Sequence, residues 1–140
     1  MLRMTFITVG DLPRGPFQEI GDEFEKRLKL FVTMEKKSVK SEEAILRAIP
    51  DGSFVVVLDA AGKALTTEAF ARRIGQQEDD GRHVTVILGG PFGLSDSLKA
   101  GADLQLSLSP MTTTHDLAHL FFLEQLYRAF TLLRGKTYHY

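Results

Sequence analysis

A glycine-rich loop at residues 89–93, Gly-Gly-Pro-Phe-Gly, is the stretch whose residue types point most directly to chemistry. It follows the apolar run His83–Leu88, which predicts a buried strand, and it precedes a helix predicted over Ser95–Ala102 with Ser95 as its N-cap. Glycines at the end of a strand let the backbone approach a ligand closely. In an open α/β sheet, ligands sit at the carboxyl ends of the strands. The pattern therefore indicates either a small-molecule site or only a tight turn from strand to helix.

Two histidines are a second candidate for chemistry. His115 and His119 stand four residues apart in a segment of helical spacing, as two metal ligands on one helix face do. A catalytic zinc site needs a third protein ligand, and the obvious candidates are Asp116 and the distant His139. Asp116 points to another side of the helix, so a metal-dependent hydrolase is the less favoured alternative. We expect no metal, and we expect His115 and His119 to form a polar seam that faces a partner or RNA.

The composition predicts a single domain over residues 1–140 and excludes several classes of protein. The absence of cysteine excludes disulfide frameworks and thiolate metal sites. We find no secretory signal and no apolar run near the roughly 18 residues of a membrane span, which favours a cytoplasmic protein. With a net charge of −1, any contact with nucleic acid must depend on a local patch or on shape. The loop at residues 89–93 lacks the G-x-G-x-x-G spacing of a Rossmann-type dehydrogenase.

Strand-like and helix-like segments alternate along the chain. Apolar and β-branched segments predict strands over Met4–Val9, Leu30–Met34, Phe54–Asp59, His83–Leu88 and Leu104–Leu108. Helical spacing and capping residues predict helices over Pro16–Leu30, from Ser41 to the turn at Pro50, over Thr67–Gln77 with Thr66 as its N-cap, over Ser95–Ala102, and from an N-cap at Thr113 to Arg134. Residues 36–40 and 60–63 are expected in loops or at strand ends. This alternation predicts a three-layer α/β/α fold around a mostly parallel sheet.

The last predicted helix is apolar around almost its whole circumference between residues 117 and 133. A helix that is apolar all round must be buried all round. In a domain of this size, its own sheet cannot cover every side of a terminal helix. The pattern therefore predicts a homodimer in which two copies pack through this helix.

The motifs from residue 54 to the end closely resemble those of the RlmH family, SPOUT-class methyltransferases that methylate N3 of a pseudouridine in large-subunit ribosomal RNA. The amino-terminal strand and helix fit the family more loosely. The matching motifs are Leu58-Asp59 with Gly62-Lys63, Ile87-Leu88-Gly89-Gly90-Pro91 with Gly93-Leu94, Leu106-Ser107-Leu108-Ser109 with Met111-Thr112, His115, Leu123 to Ala129, Arg134-Gly135 and Tyr138-His139.

The resemblance implies a fold, a methyl donor and an assembly. It implies a C-terminal trefoil knot, in which the end of the chain threads a loop, and a homodimer that acts on large-subunit rRNA of the ribosome. It implies S-adenosylmethionine (SAM) as methyl donor, bound among three loops by Leu58, Gly89, Gly90, Leu108, Ser109, Pro110, Met111, Thr112 and Thr113. It also implies catalytic roles for His119, Tyr138 and His139, and RNA contacts through His115, Arg128 and Arg134.

Two positions at the start of the last helix depart from the family pattern. The family usually has proline just before the helix histidine and arginine four residues after it, where this chain has Thr114 and His119. Arginine is suited to hold a phosphate or to orient a base. Because His119 stands in its place, an alternative function is that of a protein with the same fold that binds RNA without methyl transfer. For Arg128, an ion pair with Glu124 one helical turn earlier is the alternative to an RNA contact.

Overall fold

A computed structural model describes residues 1–138 and shows a five-stranded sheet. Its strands are β1 (Leu2–Val9), β2 (Val32–Val39), β3 (Phe54–Ala64), β4 (Val84–Leu88) and β5 (Leu104–Ser107). Their order is β2-β1-β4-β3-β5, and each neighbouring pair is parallel. The helices are α1 (Pro16–Leu28), α2 (Glu42–Ala48), α3 (Thr67–Asp79), α4 (Asp96–Ala100) and α5 (His115–Leu133). The predicted α/β class with a parallel sheet is confirmed.

The helices cover both faces of the sheet and so make three layers. Side chains alternate along β1, so that Phe6 points to the face covered by α1, α3 and α5, and Ile7 to the face covered by α2 and α4. All five residues of the central strand β4 are buried, as an uninterrupted apolar run predicts for a parallel strand covered on both faces. Because the strands are parallel, their carboxyl ends lie at one edge of the sheet.

Side-chain caps begin four of the helices. Three of these caps occur where the sequence predicts them, at Ser41, Thr66 and Ser95. The predicted cap at Thr113 is wrong by one residue. The helix α5 starts one position later, and Thr114 caps it by accepting a hydrogen bond from the N–H of Leu117 at 3.3 Å.

The strand β2 is longer than its hydropathy predicts. It pairs with β1 in register up to Val9 and Val39. The basic residues 36–40 therefore lie mostly within a strand and not in a loop. The polar sequence of β2 does not predict its full length. The strand lies at the edge of the sheet, and pairing with β1 sets its conformation.

The strand β3 also continues beyond its prediction, through residues 60–63. An irregularity allows both Leu58 and Lys63 to pair with Leu106 of β5. Gly62 lies inside it, where a Cβ would be only 2.6 Å from a backbone carbonyl oxygen of β5. Glycine is needed here because the two backbones approach too closely for any side chain.

The helix α5 packs beside α1 and α3 on one face of the sheet. Its side chains Phe122, Leu126 and Phe130 are completely buried within the single chain. Gly75 of α3 permits the close approach, since a Cβ there would lie 2.8 Å from a methyl carbon of Leu133. The argument that α5 needs a second copy along its length is therefore wrong for most of the helix. Two neighbouring helices, as well as the sheet, cover it.

Three apolar residues of α5 remain exposed, namely Leu117, Phe121 and Leu132, each with between 42% and 47% of its surface accessible. They are the part of the helix that a second copy could still cover, so the homodimer stays a prediction. Within residues 1–138, no helix is both long enough and apolar enough to cross a membrane.

Candidate active site

The carboxyl ends of β4 and β5, together with the irregular part of β3 that begins at Leu58, frame a cleft of about 480 Å³. Three segments enclose it: the residues that follow Leu58, the glycine-rich loop, and residues 108–114 after β5. The first two turns of α5 close a further side with His115, Ala118 and Phe121. A cleft of this volume is typical of sites for small molecules and cofactors.

The cleft brings together eight of the nine residues predicted to bind a cofactor. Its lining includes Leu58, Gly89, Gly90, Leu108, Ser109, Met111, Thr112 and Thr113. Pro110 belongs to the same segment but is not part of the lining within residues 1–138. These residues come from Leu58 in β3 and from the segments that follow β4 and β5, and they meet at one edge of the sheet. Their role in binding stays a prediction.

The glycine-rich loop is a tight turn as well as a wall of the cleft. The N–H of Gly93 donates to the carbonyl oxygen of Gly90 at 3.0 Å, and Gly93 has a φ of 71°, which favours glycine. A Cβ on Gly89 would lie 2.9 Å from the Cγ of Leu94. The two interpretations of the loop are compatible, because the glycines that form this turn also line the cleft.

The wall of the cleft carries one ion pair beside apolar and main-chain groups. Oδ2 of Asp59 is 3.4 Å from Nζ of Lys99, and Oδ1 of Asp59 accepts a hydrogen bond from the N–H of Ala61 at 3.1 Å. Ser109 Oγ accepts from the N–H of Met111 at 3.0 Å, which shapes the third loop. The carboxylate of Asp59 is thus compensated within the protein.

His115 is the predicted RNA contact that reaches the cleft. Its half-buried ring lies at the first turn of α5, and its Nε2 is hydrogen-bonded to Oγ1 of Thr8 in β1. Thr8 is completely buried. Sequence reasoning misses Thr8, and the signal that could have found it is a hydroxyl residue at the carboxyl end of an otherwise apolar strand.

His119, one turn further along α5, is in the core. It is only 4% exposed, and its ring stacks on Phe6 with 4.4 Å between ring centres and 15° between ring planes. Burial lowers the pKa of His119 to about 4, with smaller effects from Lys36 and His115, so the ring is neutral at pH 7. Its Nδ1 has no hydrogen-bond partner among the described residues. Within the single chain described, the His119 ring packs on the sheet and does not line the cleft. A catalytic contact or a polar seam through His119 stays a prediction that this packing does not support.

Tyr138 packs against the second half of α5. Its ring is edge-on to Tyr127 at 5.1 Å, and the guanidinium of Arg128 lies 4.2 Å from its centre. Burial and the nearby Glu124 carboxylate raise the pKa of Tyr138. Arg128 itself is paired with Glu124, as the ion-pair alternative predicts. Within the single chain described, neither Tyr138 nor Arg128 lines the cleft, and His139 lies outside the described residues.

Arg134 forms a two-point ion pair with Glu78 of α3. The two nitrogen–oxygen distances are 2.9 Å and 2.7 Å. The hydrogen bond lowers the pKa of the Glu78 carboxyl and raises that of Arg134. The pair joins the end of α5 to the end of α3, away from the cleft lining. An RNA contact through Arg134 stays a prediction.

Comparison with known families and folds defines the class. Residues 2–139 match the family described as "Predicted SPOUT methyltransferase", so the chain belongs to the SPOUT methyltransferases. Its fold resembles that of a probable methylase family protein from Haemophilus influenzae Rd KW20, with a TM-score of 0.60 and 13% identity over 96% of this chain and 66% of that one. A structure described as giving insights into the 2-OH methylation of C/U34 on tRNA has a TM-score of 0.54 and 14% identity, over 96% of this chain and 99% of that one.

Sequence relatives define the family more narrowly. Ribosomal RNA large subunit methyltransferase H of Desulfotalea psychrophila is 41% identical over 152 residues, which cover 99% of each chain. The protein of the same name from Coprothermobacter proteolyticus is 38% identical over 142 residues, again 99% of each chain. The chain is therefore a member of the RlmH family, which confirms the resemblance drawn from its motifs.

Proposed function

We propose that this protein transfers a methyl group from SAM to N3 of a pseudouridine in large-subunit ribosomal RNA, in the cytoplasm and on the assembled ribosome. The observation that carries the proposal is the cleft beside Leu58 of β3 and the carboxyl ends of β4 and β5, which gathers residues from three separate segments. Full-length relatives named as ribosomal RNA methyltransferases support it. The proposal includes one domain over residues 1–140, with the end of the chain threaded into a trefoil knot.

The chemistry of the cleft suits SAM. Main-chain groups at Gly89 and along residues 108–113 can pair with the edge of an adenine, and Leu58, Leu88 and Leu108 can cover its faces. When bound, SAM supplies a methyl group already activated on a sulfonium, so the chemistry requires no metal. The protein needs no nucleophile or metal of its own for this step, and the cleft offers shape and hydrogen bonds instead.

The residues of α5 are placed to hold the base beside the methyl donor. Ala118 and Phe121 give an apolar surface at the edge of the cleft, and His115 gives a polar group next to them. Methyl transfer depends mainly on holding the acceptor nitrogen close to the methyl carbon and in line with it. Hydrogen bonds to the carbonyl oxygens beside N3 favour transfer, because negative charge develops there as N3 loses its proton.

The charge of the protein favours a preformed substrate. Counterion release supplies most non-specific affinity for RNA, and the net charge here is −1. Several cationic side chains are also paired with carboxylates, as in Lys36–Glu25, Arg128–Glu124 and Arg134–Glu78. Recognition must therefore depend on a shape that presents the base, which folded rRNA in the ribosome supplies.

A homodimer is the assembly that fits these observations. Leu117 and Phe121 expose apolar surface next to the cleft, where a second copy could cover them. Within the single chain described, Tyr138 lies beside Tyr127. Tyr127 is about 18 Å along the helix from His115, at about 1.5 Å per residue. If the tail acts at the cleft, it has to come from the second copy or move a long way.

Transfer of labelled methyl from SAM tests the proposal, with intact ribosomes and deproteinised rRNA compared at equal concentration and two salt levels. We expect labelling of ribosomes, much weaker labelling of free rRNA, and N3-methylpseudouridine in the digested large-subunit rRNA by mass spectrometry. Equal rates on both substrates would refute the requirement for the ribosome. Binding to ribosomes without transfer would instead indicate a relative that only binds RNA.

Deletion of Thr137–Tyr140 tests the tail. We expect the truncated protein to keep the sedimentation coefficient of the assembled form and its affinity for SAM, but to lose most methyl transfer. Its control is a Tyr138→Phe protein, which keeps the ring against Tyr127 and loses only the hydroxyl. A truncated protein of full activity would exclude the tail from the reaction.

A further inference from the structure

Two hydrogen bonds of the same kind join β1 to histidines on opposite sides of the sheet. Thr5 Oγ1 is 2.8 Å from Nε2 of His83, and Thr8 Oγ1 is hydrogen-bonded to Nε2 of His115. Both threonines are completely buried. Side chains alternate along a strand, so Thr8 lies on the face covered by α5 and Thr5 on the opposite face. Of the two histidines, only His115 lines the cleft.

The burial of Thr8 decides which atom donates in its hydrogen bond. A threonine hydroxyl has one O–H donor, and its oxygen can also accept. Within residues 1–138 the imidazole is the partner of this hydroxyl, so a bond donated by Nε2–H would leave the O–H buried without an acceptor. Buried donors are rarely left unpaired, because the cost of removing them from water is then not recovered. The hydroxyl therefore donates to Nε2, and the proton of the neutral ring is on Nδ1.

This tautomer makes His115 a hydrogen-bond donor at the cleft. When Nε2 accepts from Thr8, Nδ1–H is the group that the ring has left to offer a ligand. Such a donor matches a carbonyl oxygen, and the neutral ring in this form has no free nitrogen that could take up a proton. A pseudouridine carries a carbonyl group on each side of N3, and both oxygens gain negative charge as N3 loses its proton.

We propose that Thr8 is a positioning residue that holds His115 as an Nδ1–H donor to a carbonyl oxygen of the target base. The inference rests on the proposed function, which supplies the base. It assigns to His115 the orientation of the base and not the acceptance of the N3 proton. Thr8 thus acts on methyl transfer from β1 without lining the cleft itself.

Nitrogen NMR of protein labelled with 15N-histidine tests the tautomer without any substrate, at a pH where the imidazoles are neutral. In the wild-type protein we expect the Nδ1 of His115 to be protonated and its Nε2 to be unprotonated, with His115→Gln used to assign the signals. Thr8→Val should allow the Nε2–H form to appear, and Thr8→Ser should keep the wild-type pattern. A wild-type His115 protonated on Nε2 would overturn the proposal.

Methyl transfer to ribosomes tests what the bond does. We expect Thr8→Val to lower kcat by about 10- to 100-fold, the range found when a metal-binding histidine loses the partner that orients it. Its affinity for SAM, measured by calorimetry, should be unchanged, and Thr8→Ser should retain most of the activity. Thr5→Val is the matched control, because it removes the same kind of buried bond on the opposite face and should leave kcat unchanged. Equal losses in Thr5→Val and Thr8→Val would show a general structural effect and refute the proposal.

The two measurements separate the possible failures. A wild-type protein that methylates ribosomes, together with a Thr8→Val variant of full kcat, would overturn this inference alone. A wild-type protein that transfers no methyl group would overturn the proposed function, and the NMR spectrum would still decide the tautomer. If Thr8→Val does not fold, the wild-type spectrum and the activity of Thr8→Ser carry the test.

Discussion

The first two turns of α5 and the turns that follow have different surroundings, although apolar residues recur through both. The first turns border the cleft and leave Leu117 and Phe121 exposed, whereas most of residues 122–131 are enclosed by α1, α3 and the sheet. The two histidines show the same contrast, since His115 reaches the cleft and His119 stacks in the core. Apolar spacing therefore shows that a helix will be covered, but it does not show by what.

Replacing one buried and one exposed residue of α5 by glutamate should separate the two regions most strongly. Phe122→Glu should prevent folding, because it places a carboxylate where the ring packs between Phe6 and Phe70, at a cost of several kcal/mol. Leu117→Glu should fold normally and should weaken self-association if a second copy covers this turn. Circular dichroism on heating and sedimentation velocity measure the two effects. A stable, monomeric Phe122→Glu protein would contradict the single-chain packing described here.

The cleft should depend on the glycine at the end of β4. Gly89→Val would push a side chain into Leu94 and displace the loop, so SAM should bind at least about tenfold more weakly, or about 1.4 kcal/mol. Gly101→Val is the control, since a Cβ there meets its nearest atom at an ordinary 3.6 Å. Calorimetry with SAM and a thermal unfolding curve of each protein check this. Unchanged affinity in Gly89→Val would place the SAM site elsewhere.

The burial of His119 should appear as a dependence of stability on pH. Well above pH 6.5 the ring is neutral in both the folded and the unfolded chain and contributes no slope. As the pH falls from 6.5 towards 4, only the unfolded chain takes up the proton, because burial lowers the folded pKa of His119 to about 4. The free energy of unfolding should therefore fall by up to about 3 kcal/mol over this range.

Urea unfolding at pH 7.5, 5.5 and 4.5 measures this slope, and His119→Leu should flatten it. His119→Arg should destabilise the chain, since it buries a charge against Phe6. A wild-type slope equal to that of His119→Leu would show that the imidazole is exposed in solution.

The ion pair at the end of α5 should have the smallest effect on stability. Arg134→Gln and Glu78→Gln should each lower the free energy of unfolding by less than about 1 kcal/mol, because the pair is partly exposed to water. If Arg134 also contacts RNA, only Arg134→Gln should raise the KM for ribosomes, and the increase should be largest at low salt and shrink as salt is added. Identical kinetics in the two variants would limit Arg134 to its structural pair.

Local chemistry explains what was predictable in the fold. The three caps at Ser41, Thr66 and Ser95 and the apolar run of β4 depend on residues within a turn or a strand, and each occurs where predicted. The extent of β2 was not predictable, because its polar residues read as a loop and its conformation comes from pairing with β1. The N-cap of α5 was missed because Thr113 and Thr114 are chemically equivalent in sequence.

The amino-acid sequence by itself determined the family, the α/β class and the segments that meet at the candidate site. Only the tertiary structure decided that three separate segments share one cleft, that α1 and α3 enclose α5, and that His119 is buried. It alone also joined Thr8 to His115, which are 107 positions apart. The physical reason is the distance along the sequence over which each signal acts. Periodicity and capping depend on residues a few positions apart. These contacts depend instead on the order in which the strands pair, and no local pattern specifies that order.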